Sequence, residues 1–395
     1  MNIDSQPFLS HAFLFGLEKH HCACQETGWI PQHLLIFDVK NQQSLIGGLP
    51  CYLKDHSYGE YIFDWSWADA YYRAGISYYP KLSCATPFTP ATAPRWLIHP
   101  NYRERSLQKK IISSLISFLI QHAKSCGVSS IHALFIPEES NRAFNQQGFI
   151  TRHSSQFHWK NKDTSQTTSI PKVAENLDEK SPLNGYLHFT DYLNTMSSRK
   201  RKNIRRERKR VAEQGVTFKW FTGAELTKEI ALQMFSYYLN TIYRYGAQQY
   251  LTEEFFIDLS ESMSNMTHIL LAYQHDMPVA GGLFFSSSNR LYGRYWGAEI
   301  DIKDLHFETC YYQPIEYAIL NEFEAFEAGA QGKHKLSRGL MPVTTYSQHW
   351  IADERFRSAI LEFTKSEAEG IYDYNCALSS AGPFRQNPEK TVVEV

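Results

Sequence analysis

Residues 107–136 read LQKKIISSLISFLIQHAKSCGVSSIHALFI, and two apolar patterns follow each other in this stretch. Apolar side chains recur every three or four positions over residues 107–123, which predicts an amphipathic helix. Cys126 and Gly127 interrupt the pattern, and a glycine commonly ends a helix. Residues 130–136 then form a short β-rich run. A long helix followed directly by a strand predicts an α/β fold.

The neighbouring segments extend this stretch into a unit. A helix-like segment at residues 7–21 precedes two β-rich runs, 33–39 and 44–53, which flank a polar turn and therefore predict a hairpin. Residues 54–95 are rich in aromatic residues, glycine and proline and lack periodicity, so we expect a mostly irregular segment that carries ligands. The further expected elements are a strand at 95–99, a short helix at 137–147 and a strand at 149–159.

The second half repeats this order of elements. Hairpin strands, an aromatic strand, a helix, a short strand and a loop follow one another again between residues 268 and 339. We therefore predict an α/β (α+β) protein of two related units, residues 1–160 and 186–395, each a mixed sheet flanked by helices. The polar, proline-punctuated residues 161–185 are expected to be a linker or a disordered insertion.

Composition excludes several classes of protein. The chain is 43% hydrophobic and 14% aromatic, which is typical of a globular protein. Its net charge of −1 excludes a generally basic nucleic-acid coat protein, so any contact with nucleic acid must be local. The apolar run at 111–120 contains three serines and is too short to span a membrane. Seven scattered cysteines and the lack of a secretion signal favour the cytoplasm.

Positive charge is concentrated at residues 199–210, which read RKRKNIRRERKR. Nine of these twelve residues are Lys or Arg, and their flanks have helical spacing. We expect a basic helix that binds an anion through Arg199, Lys202, Arg205 and Arg206. The anion would be a nucleotide phosphate, the backbone of tRNA or a phosphate-bearing cell-wall precursor. The alternative is a solvated helix face without a specific ligand.

Two segments of the first half are candidate ligand sites. Residues 56–72, HSYGEYIFDWSWADAYY, combine aromatic rings with carboxylates, and Asp64, Trp67 and Asp69 would bind a polar substrate there. The alternative is an aromatic core strand with carboxylates at its solvent end. In residues 78–95, Lys81 and Arg95 are candidates for binding an anion. The alternative there is a rigid surface crossover.

In the second half, candidate residues lie where a strand ends and a helix begins. Arg294, Tyr295 and Trp296 are expected to bind substrate at the end of a strand. His306 and Glu308, at the start of a helix, are candidate general bases for an attacking amine. Alternatively, they only cap the helix and stabilise its dipole.

A glycine-rich stretch follows at residues 326–339, FEAGAQGKHKLSRG. Its open backbone and its charges favour a phosphate or carboxylate ligand, although it matches no nucleotide-hydrolysing pattern. The expected substrate-binding residues are Glu327, Gln331, His334, Lys335 and Arg338. Another short motif, HHCAC at residues 20–24, is reminiscent of metal ligands, but no second cluster accompanies it, so no metal site is predicted.

Several of these segments together resemble a bacterial family of predicted N-acyltransferases, which is GNAT-like and linked to peptidoglycan biosynthesis. The segments are SYGEYIFDWSWADAY, YYPKL, PFTPATAPR, QFHW, SSRKRKNIRRER, GRYWGA, HFETCYYQPIEYAI, FEAGAQGKHKLSRG and TYSQHWI. The resemblance implies two tandem GNAT-like units, similar to the Fem aminoacyltransferases. It also implies transfer of an acyl or aminoacyl group from acyl-CoA or aminoacyl-tRNA to an amine acceptor, for example on a peptidoglycan precursor.

One feature departs from ordinary GNAT enzymes. These bind the CoA pyrophosphate on a glycine-rich turn, where backbone N–H groups converge. The matching residues 102–107 contain no glycine, and none lies directly before Phe307. Use of acyl-CoA therefore does not follow from the resemblance. The leading expectation is a cytoplasmic acyl- or aminoacyltransferase that forms an amide on an amine acceptor. The alternatives are a non-catalytic module that binds tRNA or a cell-wall precursor, and an acetyl-CoA enzyme with a degenerate phosphate loop.

Overall fold

The computed structural model describes residues 6–39, 44–161, 185–329 and 332–385. The strands of this part of the chain are β1 (Trp29–Pro31), β2 (Leu34–Asp38), β3 (Ser44–Leu49), β4 (Tyr52–Lys54), β5 (Lys81–Cys84), β6 (Leu97–Ile98), β7 (Ser130–Ile136), β8 (Ile150–Lys160), β9 (Val216–Phe221), β10 (Thr267–Gln274), β11 (Met277–Ser286), β12 (Arg290–Ala298), β13 (Ala325–Glu327) and β14 (Met341–Ile351). Its α-helices are α1 (His11–Lys19), α2 (Trp65–Arg73), α3 (Arg105–Ser125), α4 (Asn141–Asn145), α5 (Phe189–Thr195), α6 (Ser198–Glu213), α7 (Lys228–Tyr245), α8 (Glu253–Ser262), α9 (Leu305–Phe307), α10 (Gln313–Leu320) and α11 (Glu354–Ser380). None of these helices is long and apolar enough to cross a membrane.

The chain divides into two compact units. The first comprises residues 1–156, 246–264 and 343–376, and the second comprises 157–245, 265–342 and 377–395. This grouping differs from the predicted division into 1–160 and 186–395, because α8 and most of β14 and α11 join the first unit. Strand β14 pairs with β7, and α8 packs closely on α1 at Gly16. The expected linker at 161–185 lies almost wholly outside the described residues.

The first unit is built on helix α3 and strand β7. Its larger sheet has the strand order β1-β4-β5-β7-β14, followed by the first residues of β8, and a small sheet has the order β2-β3-β6. Strands β5 and β7 are parallel, and β7 and β14 are antiparallel. The buried face of α3, with Leu115, Ile116 and Leu119, shares a core with β7. Each such side chain contributes roughly 1.5–3 kcal/mol of burial free energy.

The prediction of a mostly irregular segment at residues 54–95 is wrong in two places. Helix α2 and strand β5 both lie inside it. Trp67 and Tyr71 are one helical turn apart and are buried, which gives α2 an apolar face that the high density of aromatic residues conceals in the sequence. Strand β5 is buried along its whole length between β4 and β7.

The second unit has a sheet in which the last residues of β8 are followed by β13-β12-β11-β10-β9. Strands β12 and β13 are parallel, whereas β10, β11 and β12 form antiparallel hairpins. Helix α7 approaches β12 closely at Gly297, because a Cβ there would lie only 1.8 Å from the backbone oxygen of Tyr237. Only glycine allows this approach. The expected α/β class, with mixed sheets and flanking helices, is confirmed.

The helix predicted after the aromatic strand of the second half is interrupted. A turn of π-helix, Glu308–Tyr312, separates α9 from α10, and such turns often occur at functional sites. A 3-10 helix, Lys333–Arg338, lies within the glycine-rich stretch. It begins after Gly332 and ends at Gly339, and both glycines have positive φ (119° and 81°). These two local departures shape the pocket described next.

Candidate functional site

A pocket of about 300 Å³ lies in the second unit, where β12 runs beside the parallel β13 and the π-helical turn follows α9. Its position at a strand end next to a helix start agrees with the location at which α/β folds commonly bind ligands. Six of the residues expected from the sequence line it, namely Arg294, Tyr295, Trp296, His306, His334 and Lys335. The other lining residues are Phe284, Gly293, Cys310, Tyr311, Phe326, Ala328 and Gly329.

Lys335 is the charged residue buried most deeply in this pocket. It is 3% exposed, and its Nζ donates a hydrogen bond to the backbone oxygen of Gly329 at 2.8 Å. Among the residues that the structure describes, those lining the pocket include neither Asp nor Glu. Because burial disfavours the ammonium and no carboxylate offsets this cost, the pKa of Lys335 falls to about 8. The amine therefore exchanges its proton near neutral pH.

Aromatic rings form a wall of the pocket around His306. The centroid of this ring lies 4.8 Å from that of Trp296 and 5.6 Å from that of Tyr311. The Tyr311 hydroxyl and Nε2 of His334 are hydrogen-bonded at 2.8 Å. Burial lowers the pKa of His306 to about 4, so its imidazole is neutral at pH 7. The wall thus excludes water and offers polar ring atoms without charge.

Glu308, the other candidate base, points elsewhere. Its Oε1 accepts hydrogen bonds from Nε of Arg208 at 3.0 Å and from Nε2 of Gln313 at 2.9 Å. It does not line the pocket, whereas His306 and Cys310 do, since they are four residues apart and share a helix face. Burial raises the pKa of the Glu308 carboxyl, although Arg208 partly offsets the effect. The structure therefore separates the two residues that the sequence grouped as catalytic.

Two further candidates from the glycine-rich region form internal pairs. The guanidinium of Arg338 lies 3.4 Å from the ring centroid of Phe307 and donates to Glu207 at 3.0 Å. Glu327 accepts a hydrogen bond from Arg290 at 2.9 Å. Neither lines the pocket, so we assign both a structural rather than a ligand-binding contact. Gln331 lies outside the described residues.

The cations of the basic helix α6 fall into two groups. Arg208 bonds to Glu308 and Glu316, and Arg210 bonds to Asp304. The outer face carries the four predicted anion-binding residues, all exposed: Arg199, Lys202, Arg205 and Arg206. None of these four forms an ion pair with another residue in the described ranges, and Arg206 contacts only the neighbouring Asn203. Their charge is therefore available for an external anion.

The candidates of the first unit are mostly internal. Nζ of Lys81 lies 2.7 Å from Glu60 and 2.5 Å from Asp64. Arg95 donates to the backbone oxygens of Ala93, Ala91 and Phe135, and Trp67 packs on His349. Asp64, Lys81 and Arg95 are buried and bonded within the unit, and Trp67 is buried against His349, so we no longer assign these four residues to a substrate. Asp69 remains exposed beside an open groove, where it pairs with Arg73.

Comparison with known proteins identifies the family. A family model for FemAB-like proteins, described as peptidoglycan biosynthesis/recognition, matches residues 1–169 and 177–386. The chain belongs to the FemAB-like family. The expected relation of this FemAB-like chain to the Fem proteins is thereby confirmed. No curated protein matches its sequence.

Solved structures similar to this FemAB-like chain include FemX, at 9% identity and a TM-score of 0.50, with 90% of this chain and 94% of FemX covered. L-PGS from Bacillus licheniformis is similar at 9% identity and a TM-score of 0.49, with 87% and 96% covered. A tandem GNAT protein from the clavulanic acid biosynthesis pathway has 9% identity and a TM-score of 0.36, with 88% of this chain and 97% of that protein covered. At this level of identity, the likeness to FemX shows a shared fold.

Sequence reasoning missed three parts of the pocket. Cys310 and Tyr311 lie within the π-helical turn, which the sequence periodicity does not indicate, and Phe284 comes from the C-terminal part of β11. The spacing of His306 and Cys310 was the available signal, because residues four apart share a helix face. The contribution of Phe284 required the pairing of β11 with β12, which is known only from the fold.

Proposed function

We propose that the protein is a cytoplasmic N-acyltransferase that moves an aminoacyl group from aminoacyl-tRNA to an amine of a peptidoglycan precursor. The observation that carries this proposal is Lys335, buried in a pocket without carboxylates and with a pKa of about 8. The family description, peptidoglycan biosynthesis/recognition, supports the class of acceptor.

The chemistry needs a proton acceptor. The acceptor nitrogen attacks the carbonyl carbon of the donor ester, a C–N bond forms, the C–O bond to the tRNA ribose breaks, and the nitrogen loses a proton. A general base is most effective when its pKa is near the working pH. Lys335 in its neutral form meets this condition better than His306, whose pKa of about 4 makes it a weaker base. His306 and Tyr311 then position the acyl group and exclude water.

The charges around the pocket favour a phosphate-rich donor. Arg294 lines the pocket, and the outer face of α6 presents Arg199, Lys202, Arg205 and Arg206. A row of exposed cations on a helix suits the repeating phosphates of an RNA backbone. The second unit thus offers a place for the reacting ester and a separate surface for the chain that carries it.

The start of α3 argues against acyl-CoA in the first unit. In GNAT enzymes, free backbone N–H groups at the corresponding place bind the pyrophosphate. Here the carboxylate of Glu104 accepts hydrogen bonds from the N–H groups of Ser106 and Leu107, each at 3.0 Å. A negative side chain therefore already occupies the donors that a pyrophosphate would need.

The test compares donors and variants in one transfer assay. Purified protein is given tRNA charged with radiolabelled amino acids, or labelled acetyl-CoA, together with a nucleotide-linked sugar-peptide acceptor. We expect label in the acceptor only from tRNA. Lys335→Met should lower kcat by about 10²–10⁴-fold, the usual contribution of a general base. Lys228→Met, an exposed lysine in the same unit, should leave kcat unchanged. Transfer from acetyl-CoA alone, or full activity of Lys335→Met, would contradict the proposal.

The pH profile isolates the role of Lys335. Because the lysine must be neutral to accept a proton, kcat should rise with pH and level off above about 8. Lys335→Arg keeps the positive charge but does not titrate in this range, so the limb near pH 8 should disappear. An unchanged limb would assign it to another group, such as the acceptor amine.

The salt dependence of tRNA binding tests the outer face of α6. Replacing Arg199, Lys202, Arg205 and Arg206 by Gln should reduce the slope of log affinity against log salt by roughly 3, at about 0.7–0.9 per phosphate contact. Gln at Lys109 and Lys110, exposed on α3, is the matched control. Tight, salt-dependent tRNA binding without any transfer would instead support the non-catalytic binding module.

A further inference from the structure

We propose that His21, Cys24 and Glu26 form a binding site for a transition-metal cation of the Zn²⁺ class, in the turn between α1 and β1. One ligand atom from each, an imidazole nitrogen, a sulfur and a carboxylate oxygen, lies within 4.8 Å of the other two. Around a tetrahedral zinc with bonds of 2.0–2.3 Å, ligand atoms are roughly 3.3–3.8 Å apart. Small side-chain rotations therefore bring the three atoms to bonding distance.

The backbone of this turn is held by several hydrogen bonds. The N–H groups of Cys22 and Ala23 both donate to the oxygen of Leu17, at 2.8 and 2.9 Å. The N–H of Cys24 donates to Oγ1 of Thr27 at 3.0 Å, and its carbonyl accepts from the N–H of Trp29 at 3.0 Å. The ligands are thus carried by a backbone that is already fixed, which reduces the entropy lost when a cation binds.

The Cys24 thiol donates a hydrogen bond to the backbone oxygen of His21 at 3.4 Å, which keeps its sulfur beside that residue. On binding, the sulfur loses its proton to solvent and forms a bond to the metal, so one proton is released for each cation bound. Thiolate and carboxylate together neutralise a divalent charge, and neutral His21 adds a nitrogen.

The structure divides the HHCAC motif in a way that the sequence does not show. Cys22 is buried, with its sulfur 3.7 Å from Oγ1 of Thr252, and His20 lies 3.5 Å from Asp258. Neither of these two side chains belongs to the cluster, whereas His21 and Cys24 of the motif do. Glu26, which lies outside the motif, supplies the third ligand.

The donor set indicates the type of cation. Sulfur and imidazole ligands favour zinc and its neighbours over magnesium or calcium, which prefer oxygen alone. Three protein ligands leave a fourth position for water, and the exposure of His21 and Glu26 keeps that position accessible. The site lies in the first unit and does not depend on the transferase activity proposed for the second.

Cobalt provides a direct optical test, because a cobalt–thiolate bond gives a charge-transfer band in the near ultraviolet. The full chain is freed of metal with a chelator, titrated with Co²⁺, and then titrated with Zn²⁺. We expect one equivalent of Co²⁺ to produce the band and one equivalent of Zn²⁺ to remove it. Absence of the band would overturn the proposal.

Three variants test the individual ligands. Cys24→Ser should abolish the band, and His21→Gln and Glu26→Gln should each weaken Co²⁺ binding at least tenfold, the usual effect of losing a ligand or its support. If only Cys24→Ser had an effect, the site would reduce to a lone thiol and the proposal would fail. Circular dichroism of each variant checks that the fold is retained.

Helix α3 provides a matched control. Exposed Cys126 lies 3.7 Å from the imidazole of His122, so it is a cysteine–histidine pair without a carboxylate. Cys126→Ser should leave both the band and the affinity unchanged. A band that persisted in Cys24→Ser but disappeared in Cys126→Ser would place the metal on α3 and contradict the proposal.

Discussion

Lys81 in the first unit and Lys335 in the second are both buried lysines, yet their pKa values shift in opposite directions. Lys81 is fully buried, and burial opposes its charge, but Glu60 and Asp64 together outweigh that effect and raise its pKa. Lys335 has a backbone carbonyl but no carboxylate beside it, so burial dominates and lowers its pKa to about 8. The carboxylate partners, rather than the degree of burial, decide whether a buried lysine stays charged.

The difference in carboxylate partners distinguishes a cluster that stabilises the fold, around Lys81, from a pocket in which a proton can be transferred, around Lys335. Around Lys81 the polar contacts continue inward, since the Tyr78 hydroxyl donates to Asp64 at 2.6 Å and is 3.3 Å from His132. His132 in turn contacts His349, with 2.7 Å between their Nδ1 atoms. These contacts fix the buried side chains around Lys81 and keep them away from solvent. Lys335 instead faces a pocket with a proton that is easily exchanged.

The largest effect is expected for Lys81→Met. Removing the lysine leaves two buried carboxylates without their partner, which commonly costs 3–5 kcal/mol in the free energy of unfolding. Chemical denaturation followed by circular dichroism measures this loss. Lys109→Met, at an exposed position on α3, should change stability by less than about 0.5 kcal/mol. A loss below about 1 kcal/mol for Lys81→Met would show that the carboxylates find other partners, and the contrast with Lys335 would weaken.

Lys335→Met should change the free energy of unfolding in the opposite direction to Lys81→Met. The pKa of Lys335 is lowered from 10.5 to about 8, a cost to the folded state of about 3 kcal/mol at pH 7. Loss of the hydrogen bond to Gly329 offsets about 1 kcal/mol of the gain. We therefore expect a net stabilisation of about 2 kcal/mol, together with the loss of activity proposed above.

The pH dependence of this gain follows from proton linkage. Between pH 8 and 10.5 the unfolded chain binds more protons at Lys335 than the folded protein does, so wild-type stability rises with pH in that window. The advantage of Lys335→Met should therefore be greatest below pH 8 and vanish above about 10.5. Denaturation at pH 7 and pH 10 measures it, and a destabilised variant at pH 7 would contradict the assignment of Lys335 as an uncompensated charge.

Much of the fold follows from periodicity in the sequence. The bounds predicted for β7 agree with the structure, because this strand is a β-rich run that follows a glycine-containing turn and precedes a proline. Helix α3 was predicted within two residues of each end. Helix α2 was missed because aromatic residues cover both its faces, and β14 and α11 lie in a region for which no element was predicted.

The site was predicted less completely, for a different reason. Burial and pairing depend on which strands become neighbours, and local sequence does not specify this. Charged residues near aromatic residues are typical of a binding site as well as of a protein core. The sequence therefore indicated Asp64 and Lys81 as ligand-binding residues. The fold instead places them in the core beside Glu60. Conversely, Arg294, Tyr295 and Trp296 in β12 and His334 and Lys335 in the glycine-rich stretch do line the pocket, while their roles in binding stay a prediction.

The smallest effect is expected for Glu60→Gln. This substitution separates the contribution of Glu60 from that of Asp64 in the cluster around Lys81. Burial raises the pKa of Glu60 despite the opposing effect of Lys81. Of the two carboxylates beside Lys81, Glu60 is therefore the one whose ionised form is less favourable in the folded protein. Gln keeps an oxygen for the hydrogen bond from Lys81, and Asp64 retains the charge contact at 2.5 Å. We expect a loss of about 1 kcal/mol at pH 7, within the usual net value of a hydrogen bond.

The sign of the pH effect distinguishes this account from simple loss of packing. Because the pKa of Glu60 is raised above 4.5 in the folded state, the folded protein binds more protons there than the unfolded chain does just above pH 4.5. Wild type therefore loses stability at this residue as pH rises through the folded pKa, whereas Glu60→Gln does not. The difference between the two proteins should shrink from pH 4.5 to pH 8. A constant difference would mean that Glu60 acts through its shape, leaving Asp64 alone to hold the charge of Lys81.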